Sequence, residues 1–231
     1  MTAHFPRLPW FRRLARKSLA PIFYRLFYLR EDALSKTISG VVPVPQQPDK
    51  DLWDSEYNKG YWEKLYDLSE QGHYALLLSY VLRRGPAPSV LDIGCGEGIF
   101  LNWLAPHGYK HYTGIDFSET VIAKCAPRCD TKTSFLSANA EEYEPDRRFD
   151  AIVFCESIYY FRDPINTVVR YGTYLNENGV FVITLHRHLR TEAIRSRLKD
   201  RLELIHETTI TNTGGTWFCL LAKPREHSPA S

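Results

Sequence analysis

The chain lacks any apolar run close to the ~20 residues that a bilayer span needs. The longest near the N-terminus, residues 21–29, is interrupted by Arg25. No small-residue cleavage site follows a clean apolar core, so no secretory signal is expected. Cysteines number five, an odd count. Cys95 sits in a glycine-rich loop and Cys155 ends an apolar run. Neither is placed like part of a disulfide framework, and a reducing, cytoplasmic setting is expected. Cys125 and Cys129 stand four apart, but no second Cys/His pair completes a zinc site. The phosphate loop Gly-x-x-x-x-Gly-Lys-Ser/Thr is missing, which argues against a nucleoside triphosphate. Internal repeats and low-complexity tracts are missing as well.

Acids are missing from the first thirty positions, which hold Arg7, Arg12, Arg13, Arg16, Lys17, Arg25 and Arg30. The net charge of +2 therefore hides a basic arm on an acidic remainder. A uniformly basic nucleic-acid binder does not have this distribution. Residues 5–30 read as an amphipathic helical region broken near Pro21. Trp10, Phe11, Leu14 and Ala15 share one face, and Arg12, Arg13, Arg16 and Lys17 another. Three roles fit that pattern: peripheral contact with a membrane surface, packing on the domain, or an Arg-rich transit segment.

At 231 residues and 44% hydrophobic, the chain suits one α/β domain with an extension. Residues 1–38 read as the basic helical extension, 39–52 as a proline-rich linker and 53–88 as aromatic lid helices. Gly60 and Gly72 divide the lid. Residues 89–224 read as the ligand-binding domain and 225–231 as a tail. Within that domain apolar segments at 89–93, 111–116, 133–137, 149–155 and 179–186 alternate with helical ones at 97–105, 118–126, 164–175 and 189–199. Such alternation gives a doubly wound, mostly parallel sheet. Two final strands, 202–211 and 216–223, flank a turn at 212–215 and form a hairpin.

The most informative segment is VLDIGCGEGIF at 90–100. An apolar run stops at Gly94, Gly96 and Gly98, and a helix follows. Glycine takes positive φ cheaply and lets a ligand lie against bare backbone. Asp116 ends the next strand about 20 residues on, where a carboxylate can hold ribose hydroxyls. A dinucleotide fingerprint would need Gly or Ala where Ile99 stands. Asp92, just before the loop, would also face a pyrophosphate. A phosphate-free adenosine ligand with a cationic end suits this loop better.

LDIGCGEG resembles the first motif of the class I S-adenosylmethionine-dependent methyltransferases, hydrophobic-Asp-hydrophobic-Gly-x-Gly-x-Gly. The chain resembles that family from about residue 53 to 224. It looks most like small-molecule and nodulation-type N- or O-methyltransferases. The resemblance implies a Rossmann-like seven-stranded sheet closed by one antiparallel strand, with S-adenosyl-L-methionine as cofactor. Gly94, Gly96 and Gly98 would pass under its methionine half, with Cys95 offering backbone. Asp92 would orient the loop and favour the ammonium. Asp116 would take the ribose, and Phe117 would stack on adenine. Where the family usually has an Asp after the third strand this chain has Asn139, whose oxygen can accept the same hydrogen bond, followed by Ala140.

The segment CESIYYFRDP at 155–164 resembles the family's fourth-strand motif, which faces the transferred methyl. It excludes the Asn/Asp-Pro-Pro-Tyr/Phe of exocyclic-nitrogen enzymes and the Pro-Cys nucleophile of cytosine-C5 enzymes. Cys155 is grouped with the cofactor-lining positions. His186 is the first choice of base, because it ends the fifth strand and His is matched to neutral pH. Tyr160 and Glu156 come next. Tyr57, Tyr61, Trp62 and Tyr159 would cover the site and exclude water. His186 and His188 do not read as a metal pair, since no Asp/Glu set accompanies them. The acceptor is expected to be a small molecule or the tip of a glycan or lipid-linked molecule. Two alternatives are an RNA methyltransferase steered by the basic arm, and a non-catalytic cofactor-binding regulatory subunit.

Overall fold

Val90, Leu91 and Ile93 have no exposed surface, as a central strand covered on both faces requires. The computed structural model describes residues 50–225. The expectations for residues 5–30, for most of the proline-rich linker and for the end of the tail lie outside that span. The described elements run in the following order. Helices α1 (Lys50–Asn58) and α2 (Leu68–Leu82) precede strand β1 (Ser89–Ile93). Then come α3 (Ile99–Leu104), β2 (His111–Asp116), α4 (Glu119–Cys125), β3 (Thr133–Ser137) and β4 (Phe149–Cys155). Last are α5 (Pro164–Tyr171), β5 (Leu175–His186), α6 (Leu189–Arg201), β6 (Leu202–Asn212) and β7 (Gly215–Pro224).

The seven strands form one sheet in the order β3-β2-β1-β4-β5-β7-β6. The first five pair in parallel, and β7 runs antiparallel to both β5 and β6. This is the Rossmann-like, mostly parallel sheet with a terminal hairpin that the alternation predicts. Strand side chains alternate between two cores. Phe154, Phe181, Phe218 and Leu220 face α5 and α6 through Ile165, Val168, Ile194 and Leu198. Val153, Val182, Trp217 and Leu221 face α2 and α3 through Leu77, Val81, Phe100 and Leu104.

Gly72 does not divide the lid region, because α2 runs through it. A glycine inside a helix costs about 1 kcal/mol. Leu77 and Val81, both without exposed surface, offset that cost on burial by about 1.5–3 kcal/mol each. Helix α2 is thus a sheet-packing element, and the covering layer shortens to α1 and the turn after it. Gly60 does break the chain, at φ +68°.

The parallel strands all end at one sheet edge. There Ile93, Asp116, Cys155 and His186 are the last residues of β1, β2, β4 and β5. Trp217, near the start of the reversed β7, pairs with His186 and joins the same edge. Open α/β sheets bind ligands just beyond this edge.

Candidate active site

The glycine loop leaves β1 with positive φ at all three glycines: +75° at Gly94, +52° at Gly96 and +69° at Gly98. Two positions show why no side chain fits. A Cβ on Gly98 would lie 2.7 Å from Arg128 Nη1 and 2.9 Å from Phe135 Cζ. A Cβ on Gly96 would lie 3.1 Å from the Tyr57 hydroxyl, so Tyr57 of α1 sits directly over bare loop backbone. Arg128 fixes the far side. It donates to the carbonyls of Glu97 at 2.7 Å and Gly98 at 3.1 Å, and to Asn102 Oδ1 at 2.8 Å. The Cys95 and Cys125 thiols both donate to the Gly96 carbonyl, at 3.5 and 3.6 Å.

Two carboxylates anchor the loop. Asp116 accepts the Gly96 N–H at one oxygen and the Ser118 N–H at the other, both at 3.0 Å. Burial raises its carboxyl to about 6, against the pull of the Ser118, Gly96 and Phe117 N–H groups. The helix cap of α4 is Ser118, whose hydroxyl accepts the Val121 N–H, so Asp116 is left to the loop. Asp92 is 1% exposed. The Tyr112 hydroxyl donates to its Oδ2 at 2.6 Å, whereas its Oδ1 is buried without a hydrogen-bond partner. Burial raises its carboxyl to about 7, with the Tyr112 bond opposing. An unspent carboxylate oxygen is costly in a folded interior. Beside a bare-backbone cradle it fits a ligand that brings positive charge and no phosphate.

Phe117 is half-buried and belongs to neither core cluster. Asn139 Oδ1 accepts the Glu141 N–H at 3.0 Å inside a local turn. The Ala140 carbonyl is held by Arg170 and by the Tyr171 hydroxyl, each at 2.8 Å. Cys155 lies half-buried at the end of β4, where its sulfur accepts the Thr184 hydroxyl at 3.7 Å.

Beyond the loop, a second cluster of polar residues gathers at the ends of β4, β5 and β7. Glu156 is the one described non-glycine residue with positive φ, at +55°. Such backbone strain collects at functional positions. Its N–H donates to Thr184 Oγ1 at 3.1 Å. Its Oε2 accepts the Tyr159 hydroxyl at 3.0 Å and the His186 N–H at 2.9 Å. Its Oε1 is buried and unpartnered. Burial raises the carboxyl to about 7, with the Thr184, Tyr159 and His186 bonds opposing. The His186 ring instead lies against the hairpin turn, packed on Gly215 and bonded to the Gly214 backbone. Burial lowers its pKa. Of the three candidate bases, Glu156 is the one with a buried polar atom that lacks a hydrogen-bond partner.

The aromatic cover follows from the same edge. Trp53 stacks on Trp62 at 5.4 Å and meets Tyr160 edge-on at 4.8 Å, and Tyr61 meets Trp62 edge-on at 5.3 Å. Tyr159 and Tyr160 lie 4.6 Å apart. Tyr57, buried over Gly96, has its hydroxyl pushed far above the ordinary range by burial and by the nearby Asp116. It is held neutral.

Three groups carry no sequence signal of their own. Arg128 is one. Asp54 is another: it receives the Ser118 hydroxyl and the Thr120 N–H, tying α1 to the start of α4. The third is the pair Glu70 and His73 at the start of α2. His73 is 1% exposed, stacks on Trp217 at 5.3 Å, and has both ring nitrogens unpaired. Among the described residues no cluster of His, Cys, Asp or Glu can hold a metal ion.

Residues 61–219 match the family model described as a methyltransferase domain. Nodulation protein S of Sinorhizobium fredii (strain NBRC 101917 / NGR234) is 30% identical over 104 residues, 44% of this chain and 48% of that protein. The ubiquinone biosynthesis O-methyltransferase of Aromatoleum aromaticum (strain DSM 19018 / LMG 30748 / EbN1) is 33% identical over 107 residues, 44% of this chain and 45% of that protein. The chain thus spans about half the length of the curated relatives it matches. Among solved structures, the N-methyltransferase NodS of Bradyrhizobium japonicum WM9 in complex with S-adenosyl-L-homocysteine superposes with a TM-score of 0.64 at 23% identity. It covers 77% of this chain and 98% of its own. At that identity the likeness speaks for the fold. From the aromatic turn through the glycine loop to the last strand, one family model runs without a break, and the chain belongs to the methyltransferase domain family.

Proposed function

We propose that this chain transfers a methyl group from S-adenosyl-L-methionine to an oxygen or nitrogen of a small molecule, or of the exposed tip of a glycan or lipid-linked molecule. One observation carries the reading. A bare-backbone cradle and two buried carboxylates, Asp92 and Glu156, each with one unspent oxygen, share one sheet edge. When bound, the cofactor supplies a methyl carbon already activated as a sulfonium. The protein's own residues then do three things. Gly94, Gly96 and Gly98 with Cys95 hold the amino-acid end against backbone, and Asp92 Oδ1 meets its ammonium. Asp116, Phe117, Asn139 and Ala140 line the nucleoside end. Glu156 Oε1 takes the acceptor's proton, while Tyr57, Tyr61, Trp62 and Tyr159 keep water out. Alignment of this kind can be worth ~7–11 kcal/mol.

Calorimetry tests the reading. S-adenosyl-L-homocysteine should bind with a Kd of ~1–100 µM, and no heat of binding would sink it. Methyl-labelled cofactor with fractionated metabolites and lipids then finds the acceptor.

Peripheral membrane contact through residues 5–30 belongs to the same proposal, supported by seven cations and no acid in the first thirty positions. No described helix is long and apolar enough to cross a membrane. Removal of residues 1–40 should abolish sedimentation with anionic vesicles and leave cofactor binding intact. Five cysteines without a disulfide support a cytoplasmic site of action.

A further inference from the structure

We propose that the acceptor is an amine, and that Glu70 and Glu156 together select it over the alcohol of the same skeleton. The inference rests on the methyltransferase reading above.

Trp217 ties the two acids into one cluster. On one side His73 stacks on it at 5.3 Å, and Glu70 Oε2 lies 3.8 Å from His73 Nδ1. On the other side the His186 ring meets it edge-on at 5.2 Å, and the His186 N–H holds Glu156 at 2.9 Å. Glu70 is close enough for its charge to raise the Glu156 carboxyl.

Cations balance these acids only in part. Burial lowers the His73 ring to about 4 and lowers His186 as well, so both are neutral at pH 7. The charges acting on Glu70 are Lys64 and Asp67, which oppose one another. Lys64 is itself placed over the Tyr61 and Trp62 rings at 4.5 and 5.4 Å, on the rim. The cluster is left with two carboxylates and neutral histidines around the buried Trp217. Glu156 Oε1 and both His73 nitrogens are buried without partners. An ammonium supplies the missing charge and donors for Glu156 Oε1 and for the unprotonated nitrogen of His73, whereas an alcohol supplies one donor and no charge.

The step balances. The bound ammonium gives one proton to Glu156 Oε1. The freed nitrogen lone pair forms the N–C bond as the S–C bond breaks, its electron pair remaining on sulfur. The products are a methylated ammonium and a neutral thioether, and Glu156 returns its proton to solvent.

Two measurements on the full chain test this. The protein saturated with S-adenosyl-L-homocysteine is titrated with benzylamine and with benzyl alcohol, read by tryptophan fluorescence. The amine should bind about 10-fold tighter or more, the effect of a charged hydrogen bond. Glu70→Gln should close that gap with unchanged affinity for S-adenosyl-L-homocysteine, which also reports that the variant folds. Should it not fold, Glu156→Gln carries the same comparison. Equal affinities, or no binding of either probe, overturn the proposal. In the second measurement, products formed from methyl-labelled cofactor and a metabolite extract are passed over a cation exchanger. Retained label is the expected result. Label confined to the neutral fraction overturns the amine but leaves methyl transfer standing. A chain that fails to bind S-adenosyl-L-homocysteine overturns the underlying reading instead.

Discussion

The carboxylate of Glu156 and the backbone N–H of His186 meet at 2.9 Å across the ends of two neighbouring strands. That bond spends one oxygen of Glu156 and leaves the other buried and unpartnered. It also makes His186 a backbone support, with its ring turned to the hairpin.

Glu156→Gln should therefore lower kcat/KM by ~10²–10⁴, the usual worth of a positioned base. His186→Ala should cost far less. As the proposed base, Glu156 would act when ionised, and its carboxyl is raised to about 7. The rate should rise with pH through that value, and the glutamine variant should lose this limb. A flat wild-type profile between pH 6 and 8 would assign the proton to another group.

Gly96→Val should abolish binding of S-adenosyl-L-homocysteine. The φ of +52° disfavours any branched residue, and the new side chain would press on the Tyr57 hydroxyl 3.1 Å from its Cβ. Calorimetry on a variant with an unchanged melting temperature separates this from unfolding. Undiminished binding would move the cofactor site elsewhere.

Asp92→Asn should stabilise the ligand-free protein at pH 8 while weakening cofactor binding. The folded carboxyl titrates at about 7 against an ordinary value of 3.8. Between those values the folded state binds more protons than the unfolded one, so wild-type stability falls as pH rises across that window. The asparagine variant should lack this slope. A melting temperature that fell at pH 8 would show that the charge is neutralised by an unseen partner.

Arg128→Ala removes the charged donors to the Glu97 and Gly98 carbonyls. Bonds of this kind are worth about 1.5–3 kcal/mol each when buried. The ligand touches neither guanidinium nitrogen in the proposed pose, so the loss should appear as a looser loop. Affinity for S-adenosyl-L-homocysteine should fall, and hydrogen exchange at residues 94–98 should rise. Protected amides with weakened binding would instead put Arg128 in direct contact with the ligand.

Much of this is legible in the sequence. Strands β1 to β4 begin and end where the apolar runs do, because period and glycine punctuation are local properties. The glycine loop and Asp116 fall together through a spacing fixed by one strand–helix–strand unit. The α2 boundary was missed at Gly72. A local breaker yields when the same helix buries Leu77 and Val81 against a sheet assembled from residues a hundred positions later. For a similar reason the choice between His186 and Glu156 as the proposed base does not follow from residue type alone. Chemistry at neutral pH favours His in the abstract, but which atom is left unspent depends on a hairpin turn that places Gly214 against that ring. Arg128 was invisible, since a lone arginine after a helix has no pattern until the loop it grips is folded.

The reversed strand β7 has a consequence for how such a chain can change over generations. Every residue assigned to the donor's nucleoside end comes from the β1–β3 half of the sheet, and the hairpin that brings Trp217 beside His186 comes from the other. Insertions or exchanges at the Thr213–Gly214 tip are separated by half the sheet from Asp116. Under the proposed methyl transfer, edits to one terminal hairpin would retune the acceptor end while leaving the donor end unchanged.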